Sequence, residues 1–408
     1  MRPSEPAHPL LRPWYSEASP ADPVLDFARL AGQIADFAAY RVEEDRAHAG
    51  RLDRALAALD DCAPEWETLR DRAEQLSGGP LRALPRTRPD GCHTCAPRPA
   101  TVTVVATDGS QIFPDRHVDP ACYLLNVGRV AIHYGTLDPP LIRAEPTLRY
   151  RQQDLADLAE DDAEASPLDV TSEVVSALRD ELELRWLFDT ADEERRSGRE
   201  VVAMADGTLI RWMLRGMKNR RLEAQLISRY VAELDRFREA GIPVCSYVSR
   251  PANAEVVNLL RLHRNEPDWD PAPDSLRGLQ DRHVFASRLG AGERSAVFLS
   301  RSEVLKQYGD HRIVAFYVHG CAEVGRVEMP EWVAEVPGWL DLVHAVVLDQ
   351  CEKGGGYPII LQEAHERAVV RAREKDVFYR ILARQARGAG AGAATYSGKA
   401  ASKRAPRV

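Results

Sequence analysis

Apolar residues near the start of the chain recur by threes and fours. From about Val24 to Leu76, positions such as Leu25, Phe27, Leu30, Ile34, Phe37 and Ala38 share one face, with polar residues opposite. That spacing predicts an amphipathic helical hairpin or an extended helical arm. Beyond residue 100 the pattern changes to short β-prone runs. "TVTVVATDGSQI" runs into Asp108-Gly109-Ser110, and "EVVAMADGTLIRW" runs into Asp206-Gly207-Thr208. "ACYLLNV" and "RVAIHYG" are extended pieces around Asn126-Val127-Gly128. A helix from about Val170 to Glu194 precedes the strand "VVAMA", and a basic helix from about Lys218 to Ala240 precedes "IPVCSYVS". "RIVAFYVH" and "RVEMPEWV" follow, then a helix in "GWLDLVHAVVLDQCEK" and a last one from about Ile360 to Ala386. Strands alternating with helices predict an α/β fold, a mixed sheet flanked by helices, behind an N-terminal helical arm.

The expected organisation is a loose Pro-rich arm over 1–23, a helical arm over 24–78, a linker over 79–100, an α/β body over 101–387 and a disordered basic tail over 388–408. The charged stretch "RQQDLADLAEDDAEASPLD" reads as an exposed connection within the body. The linker carries Cys92-His93-Thr94-Cys95, but a structural zinc site wants four ligands and no second pair stands at a usual spacing.

Composition narrows the classes. No apolar run approaches the roughly 20 residues of a membrane helix, and the N-terminus has no basic stretch followed by an apolar core. Seven scattered cysteines argue against a secreted disulfide framework, so the expectation is a cytoplasmic protein. A net charge of -8 is not the footprint of a general polyanion binder, so any phosphate contact is local. The best local cluster is "IRWMLRGMKNRR", with Arg211, Arg215, Lys218, Arg220 and Arg221. No GxxxxGK[ST] motif is present, which argues against a P-loop motor.

Two Asp-Gly steps at neighbouring strand ends would bring two carboxylates to one point. Such a pair suits a hard, oxygen-seeking cation such as Mg²⁺ or Mn²⁺. The glycine behind each acid is expected to let the backbone turn sharply and leave room for a ligand. On the intervening helix, a wheel places Glu181 on the apolar side with Ala177, Leu184 and Phe188, and Glu183 at the margin near Arg179 and Leu187. Near the C-terminus "GYPIILQEAHERAVVRAREKDVFYRIL" carries His365, Asp376 and Tyr379.

The ordered series Asp108-Gly109-Ser110-Gln111-Ile112, "YLLNVG", Asp206-Gly207-Thr208-Leu209-Ile210, "SYVSRP", "GERSAVF", "FYVH…RVEMPEWV" and "GYPIILQEAHE" resembles the NurA nuclease family over roughly residues 100 to 385. The resemblance implies an RNase H-like (Piwi-like) core and a Mn²⁺- or Mg²⁺-dependent deoxyribonuclease, a 5′–3′ exonuclease and single-strand endonuclease. It also implies a homodimer that resects DNA ends in double-strand break repair with a hexameric HerA-type translocase. The family's metal-binding Asp residues fall on Asp108 and Asp206, and its C-terminal His on His365. An R-x-x-x-E pattern selects Glu183 as the helix ligand, whereas the wheel selects Glu181, and Asp376 or Tyr379 is the auxiliary candidate. Arg211, Arg215, Lys218, Arg250 and Arg294 are candidates for contacts with the DNA backbone. The rival readings are a non-catalytic dimeric adaptor of a hexameric translocase and an actin-like or sugar-kinase-like phosphotransferase.

Overall fold

The computed structural model describes residues 26–113, 122–150, 172–215, 220–268, 274–320 and 322–388. The loose arm, the charged connection over 151–169, Lys218 and nearly all of the basic tail lie outside them. Among the described residues no helix is long and apolar enough to cross a membrane.

The chain divides into two compact units, Met1–Gly50 and Arg51–Val408. The predicted helical arm is one long helix, α1 (Phe27–Cys62), rather than a hairpin within it. In the first unit α1 exposes Phe27, Ile34, Phe37 and Tyr40. It stops before Pro64, whose ring and missing N–H do not suit a helix interior. A turn of tighter helix over Ala63–Glu65 leads into α2 (Trp66–Gln75).

The second unit is built on an eleven-stranded mixed sheet. In chain order the strands are β1 (Leu84–Pro85), β2 (Cys92–His93), β3 (Val102–Ile112), β4 (Tyr123–Tyr134), β5 (Leu141–Arg149), β6 (Val201–Asp206), β7 (Val244–Val248), β8 (Arg294–Ser295), β9 (Phe298–Leu299), β10 (Ile313–His319) and β11 (Val324–Pro330). Across the sheet they run β1-β9-β10-β11-β7-β6-β3-β4-β5, with β8 joining β2 to β10. The predicted linker is therefore part of the sheet: β1 and β2 pair antiparallel with β9 and β8.

The helices are α3 (Ser172–Arg196), α4 (Arg220–Ala240), α5 (Glu255–His263), α6 (Asp281–Arg288), α7 (Glu331–Glu335), α8 (Trp339–Lys353), α9 (Ile359–Ala368) and α10 (Ala372–Gly388). Side chains alternate across a strand, and the core obeys that rule. Val104 and Ala106 of β3 and Met204 of β6 pack on one face with Ile360, Leu361 and Ala364 of α9. Val105 and Ala203 pack on the other with Leu184, Leu187 and Phe188 of α3 and Leu226 and Phe237 of α4. Strands β3, β6 and β7 are parallel neighbours, whereas β3, β4 and β5 are antiparallel.

The predicted single C-terminal helix is two. It breaks between α9 and α10 although no Pro or Gly stands there. The cause is tertiary: the Ala368 carbonyl accepts hydrogen bonds from the Ser110 hydroxyl and the Asn126 amide, and Val369 leaves the helix with ψ near 120°. Side chains from two strands thus take the place of the next helical turn.

Candidate active site

The parallel register places Thr107 opposite Ala205, so Asp108 and Asp206 stand side by side where β6 ends and β3 runs on paired with β4 alone. By alternation both carboxylates belong to the face that α9 covers, two residues on from Ala106 and Met204. Asp108 Oδ2 lies 2.7 Å from His365 Nδ1, and Asp108 Oδ1 accepts the Gly109 amide at 2.8 Å. Asp206 Oδ1 accepts the Tyr357 hydroxyl at 2.8 Å. Burial raises the Asp206 carboxyl above the ordinary aspartate range; the Tyr357 hydrogen bond opposes this and the nearby Asp108 charge adds to it. Tyr357 has its phenol pushed up by burial and by the same two acids.

His365 reaches Asp108 because α9 is pinned. Besides the Ser110 and Asn126 bonds to its last carbonyl, α9 lies so close to β4 that a Cβ at Gly128 would stand 2.4 Å from the Ala364 carbonyl oxygen. Only glycine allows that approach.

Glu183 comes from the other face. A Cβ on Gly109 would lie 2.4 Å from Glu183 Oε1 and 2.8 Å from Arg179 Cγ, so these two side chains of α3 fill the space that any other residue would occupy. Gly109 does not turn: β3 stays paired with β4 through Ile112. The sharp turn expected at both steps occurs only at Gly207, where φ is +75°. Burial raises the Glu183 carboxyl, with Asp180 and Asp108 adding and Arg179 opposing. Arg179 Nε lies 2.9 Å from Glu183 Oε1, yet both atoms are buried without an aligned hydrogen bond.

The remaining candidates separate. Glu181 is buried but points toward α4, paired with Arg185 at 2.8 Å and near Arg229 at 3.9 Å. Helix α3 is packed on both sides, by the sheet and by α4, so "inward" names two directions and Glu181 and Glu183 take one each. Arg211 and Arg294 are buried rather than presented to a backbone. Arg211 pairs with Asp180 at 3.2 Å and stacks on Tyr230, and Arg294 lies 3.4 Å from Asp341. Arg215 and Arg250 are exposed. On α10, Asp376 is exposed and Tyr379 is buried.

Tyr357 is the site residue that sequence reasoning passed over. Its signal was the "GGGYP" turn directly before the helix that carries His365. In the linker, Cys92 is exposed with its thiol directed to backbone carbonyls of Asp90 and Arg288.

The model of the NurA domain matches residues 102–370. The chain belongs to the NurA family. The matched NurA span contains Asp108, Glu183, Asp206, Tyr357 and His365. Among solved structures, the NurA nuclease from Sulfolobus solfataricus is similar at 14% identity, covering 89% of this chain and 96% of that one with a TM-score of 0.45. LC9-RNase H1, a type 1 RNase H with the type 2 active-site motif, is similar at 13% identity, covering 48% of this chain and 89% of that one with a TM-score of 0.20. No curated protein matches the sequence.

The site suits a hard divalent cation by kind of donor. Asp108, Asp206 and His365 meet on one face, and Glu183 approaches from the other near Asp108, its Oε1 buried without an aligned hydrogen bond. Among the described residues, however, no three His, Cys, Asp or Glu side chains already stand as a ready metal cage. Glu183 is held by Arg179, Asp206 by Tyr357 and Asp108 by His365.

Proposed function

We propose that this chain is a Mn²⁺- or Mg²⁺-dependent deoxyribonuclease that degrades DNA from ends and cuts single strands. In this reading it has an RNase H-like core and acts in the cytoplasm as a homodimer that resects ends with a HerA-type ATPase. The observation that supports the nuclease reading most is the placement of Asp108 and Asp206 side by side on parallel strands within a NurA domain, with His365 seated on the first acid.

Asp108, Asp206, Glu183 and His365 are the residues that would hold the ion. A divalent ion bound there supplies an activated water and stabilises charge on the leaving oxygen at phosphorus. The chain's own groups prepare the rest. With Nδ1–H donated to Asp108, the other ring nitrogen of the exposed His365 is left as an acceptor, able to bind the ion or to carry a proton. The Tyr357 hydroxyl fixes the orientation of the Asp206 carboxylate. Exposed Arg215 and Arg250 offer sequence-independent contacts to phosphate, so binding should weaken steeply with salt.

The test is cleavage of end-labelled single- and double-stranded DNA with Mn²⁺, Mg²⁺ or EDTA, comparing wild type with Asp108→Ala and Asp206→Ala. Metal-dependent degradation should fall on the order of 10⁴-fold in each variant, the scale on which single members of a catalytic unit act. Cleavage that survives both substitutions would sink the assignment. Retention of a HerA-type hexamer on the immobilised chain tests the partner.

A further inference from the structure

We infer that Arg179 is a resident cation in this site, which a divalent ion must displace from Glu183 before the carboxylates can close around it. The inference rests on the metal-dependent reading above and adds a reason why no ready cage stands among the described residues.

Three observations carry it. First, the Arg179 side chain crosses directly over Gly109, between the helix and the first Asp-Gly step. Three carboxylates, Glu183, Asp180 and Asp108, act on its charge. A guanidinium there already neutralises part of the negative cluster that would attract a metal. Second, its contact with Glu183 is one of charge without an aligned hydrogen bond, although among the acids Glu183 acts most on its charge. Arg179 donates to Asp180 Oδ1 at 2.7 Å and to Gln111 Oε1 at 3.1 Å with aligned geometry. By contrast, Nε and Glu183 Oε1 stand 2.9 Å apart with neither making an aligned hydrogen bond. A doubly charged ion at the same oxygen competes with that contact directly. Third, the arginine has somewhere to stay. Asp180 is buried and its second oxygen is fixed by Arg211 at 3.2 Å, so release from Glu183 leaves Arg179 tethered at the rim instead of loose in solvent. An ion that takes the side of the inner Glu183 oxygen where Arg179 now lies competes with that guanidinium, so its binding costs the free energy of the Arg179 contact. The apparent metal affinity is the intrinsic one multiplied by the fraction of molecules in which that contact is open.

The experiment titrates Mn²⁺ calorimetrically into the full chain as wild type, Arg179→Gln, Arg179→Lys and Asp108→Asn, with the melting temperature of each protein recorded in EDTA. Arg179→Gln should bind Mn²⁺ roughly tenfold more tightly than wild type, in the range a population shift of this kind produces. Its metal-free form should melt lower, because Glu183 loses its counter-charge. Arg179→Lys, which keeps the charge without the fork, should fall between them, and it carries the test should Arg179→Gln fail to fold. Binding in the arginine variants that is equal to or weaker than wild type would overturn the inference, since an arginine that merely props Glu183 in place predicts a loss. A wild type that cleaves DNA in Mn²⁺ beside arginine variants that bind no more tightly sinks the displacement alone. Absence of both Mn²⁺ binding and cleavage in wild type and all variants sinks the nuclease reading, and the displacement with it.

Discussion

At the first Asp-Gly step the backbone stays extended. Gly109 continues the pairing of β3 with β4, and its missing side chain is replaced by Glu183 and Arg179. At the second, β6 ends at Asp206, Gly207 adopts φ of +75°, and nothing lies within reach of an added Cβ. The hydroxyls differ too. Ser110 reaches across to cap α9, whereas Thr208 donates to the buried Glu328 at 2.7 Å and accepts the Ile210 amide at 3.0 Å. The same tripeptide is thus a window for neighbouring side chains in one place and a turn in the other. A repeated motif locates two acids without saying what holds either of them.

The largest effect separating the two steps should come from Glu328, which supports only the second. It binds the half-buried Thr208 and the Leu209 amide through one oxygen and the buried Arg326 through the other at 2.8 Å. Glu328→Ala should lower stability by about 3 kcal/mol, the low end for breaking a buried pair, because Arg326 keeps Glu255 at 3.1 Å. Urea unfolding measures this, and a loss well under 1 kcal/mol would show that the second step does not depend on its prop.

The two glycines should respond in opposite ways. Gly207→Ala forces a Cβ into left-handed backbone and should cost about 1–2 kcal/mol of stability. Gly109→Ala requires no unusual backbone but pushes Glu183 and Arg179 aside, so cleavage should fall on the order of 100-fold, the penalty of misplacing a group by about 1 Å. Melting temperature and cleavage rate, measured on both, would break the comparison if the two patterns were exchanged.

The smallest change is expected for Ser110→Ala. The Ala368 carbonyl keeps the Asn126 amide at 2.8 Å, so the loss should be about 1 kcal/mol or less. Ser110→Ala combined with Asn126→Ala should exceed the sum of the single effects, because only then is the buried carbonyl left without these donors.

Much of this was legible in the sequence. Alternation and β-prone runs located β3, β6, β7, β10 and β11 and the two extended pieces that form the single strand β4, and the matched Asp-Gly contexts placed two acids on adjacent strands, although only Asp206 ends its strand. What escaped depended on contacts distant in the chain. The break after Ala368 follows from side chains on β3 and β4, more than 240 residues earlier. The choice between Glu181 and Glu183 was hidden because α3 is buried on two faces, so one periodicity serves two neighbours. Arg211, in a basic run, and Arg294, outside it, looked like surface cations because the linear sequence does not show the acids and rings that enclose them in three dimensions. Gly109 read as a turn because the side chains that demand a glycine there belong to a helix some seventy residues away.

The pinning of His365 to Asp108 joins residues 257 positions apart. A contact of such long range must close a long stretch of chain before it forms. On the ribosome it cannot form until synthesis has passed residue 365, when β3, α3 and β6 are long since made. The growing chain therefore carries its acids without their histidine until α9 has been made.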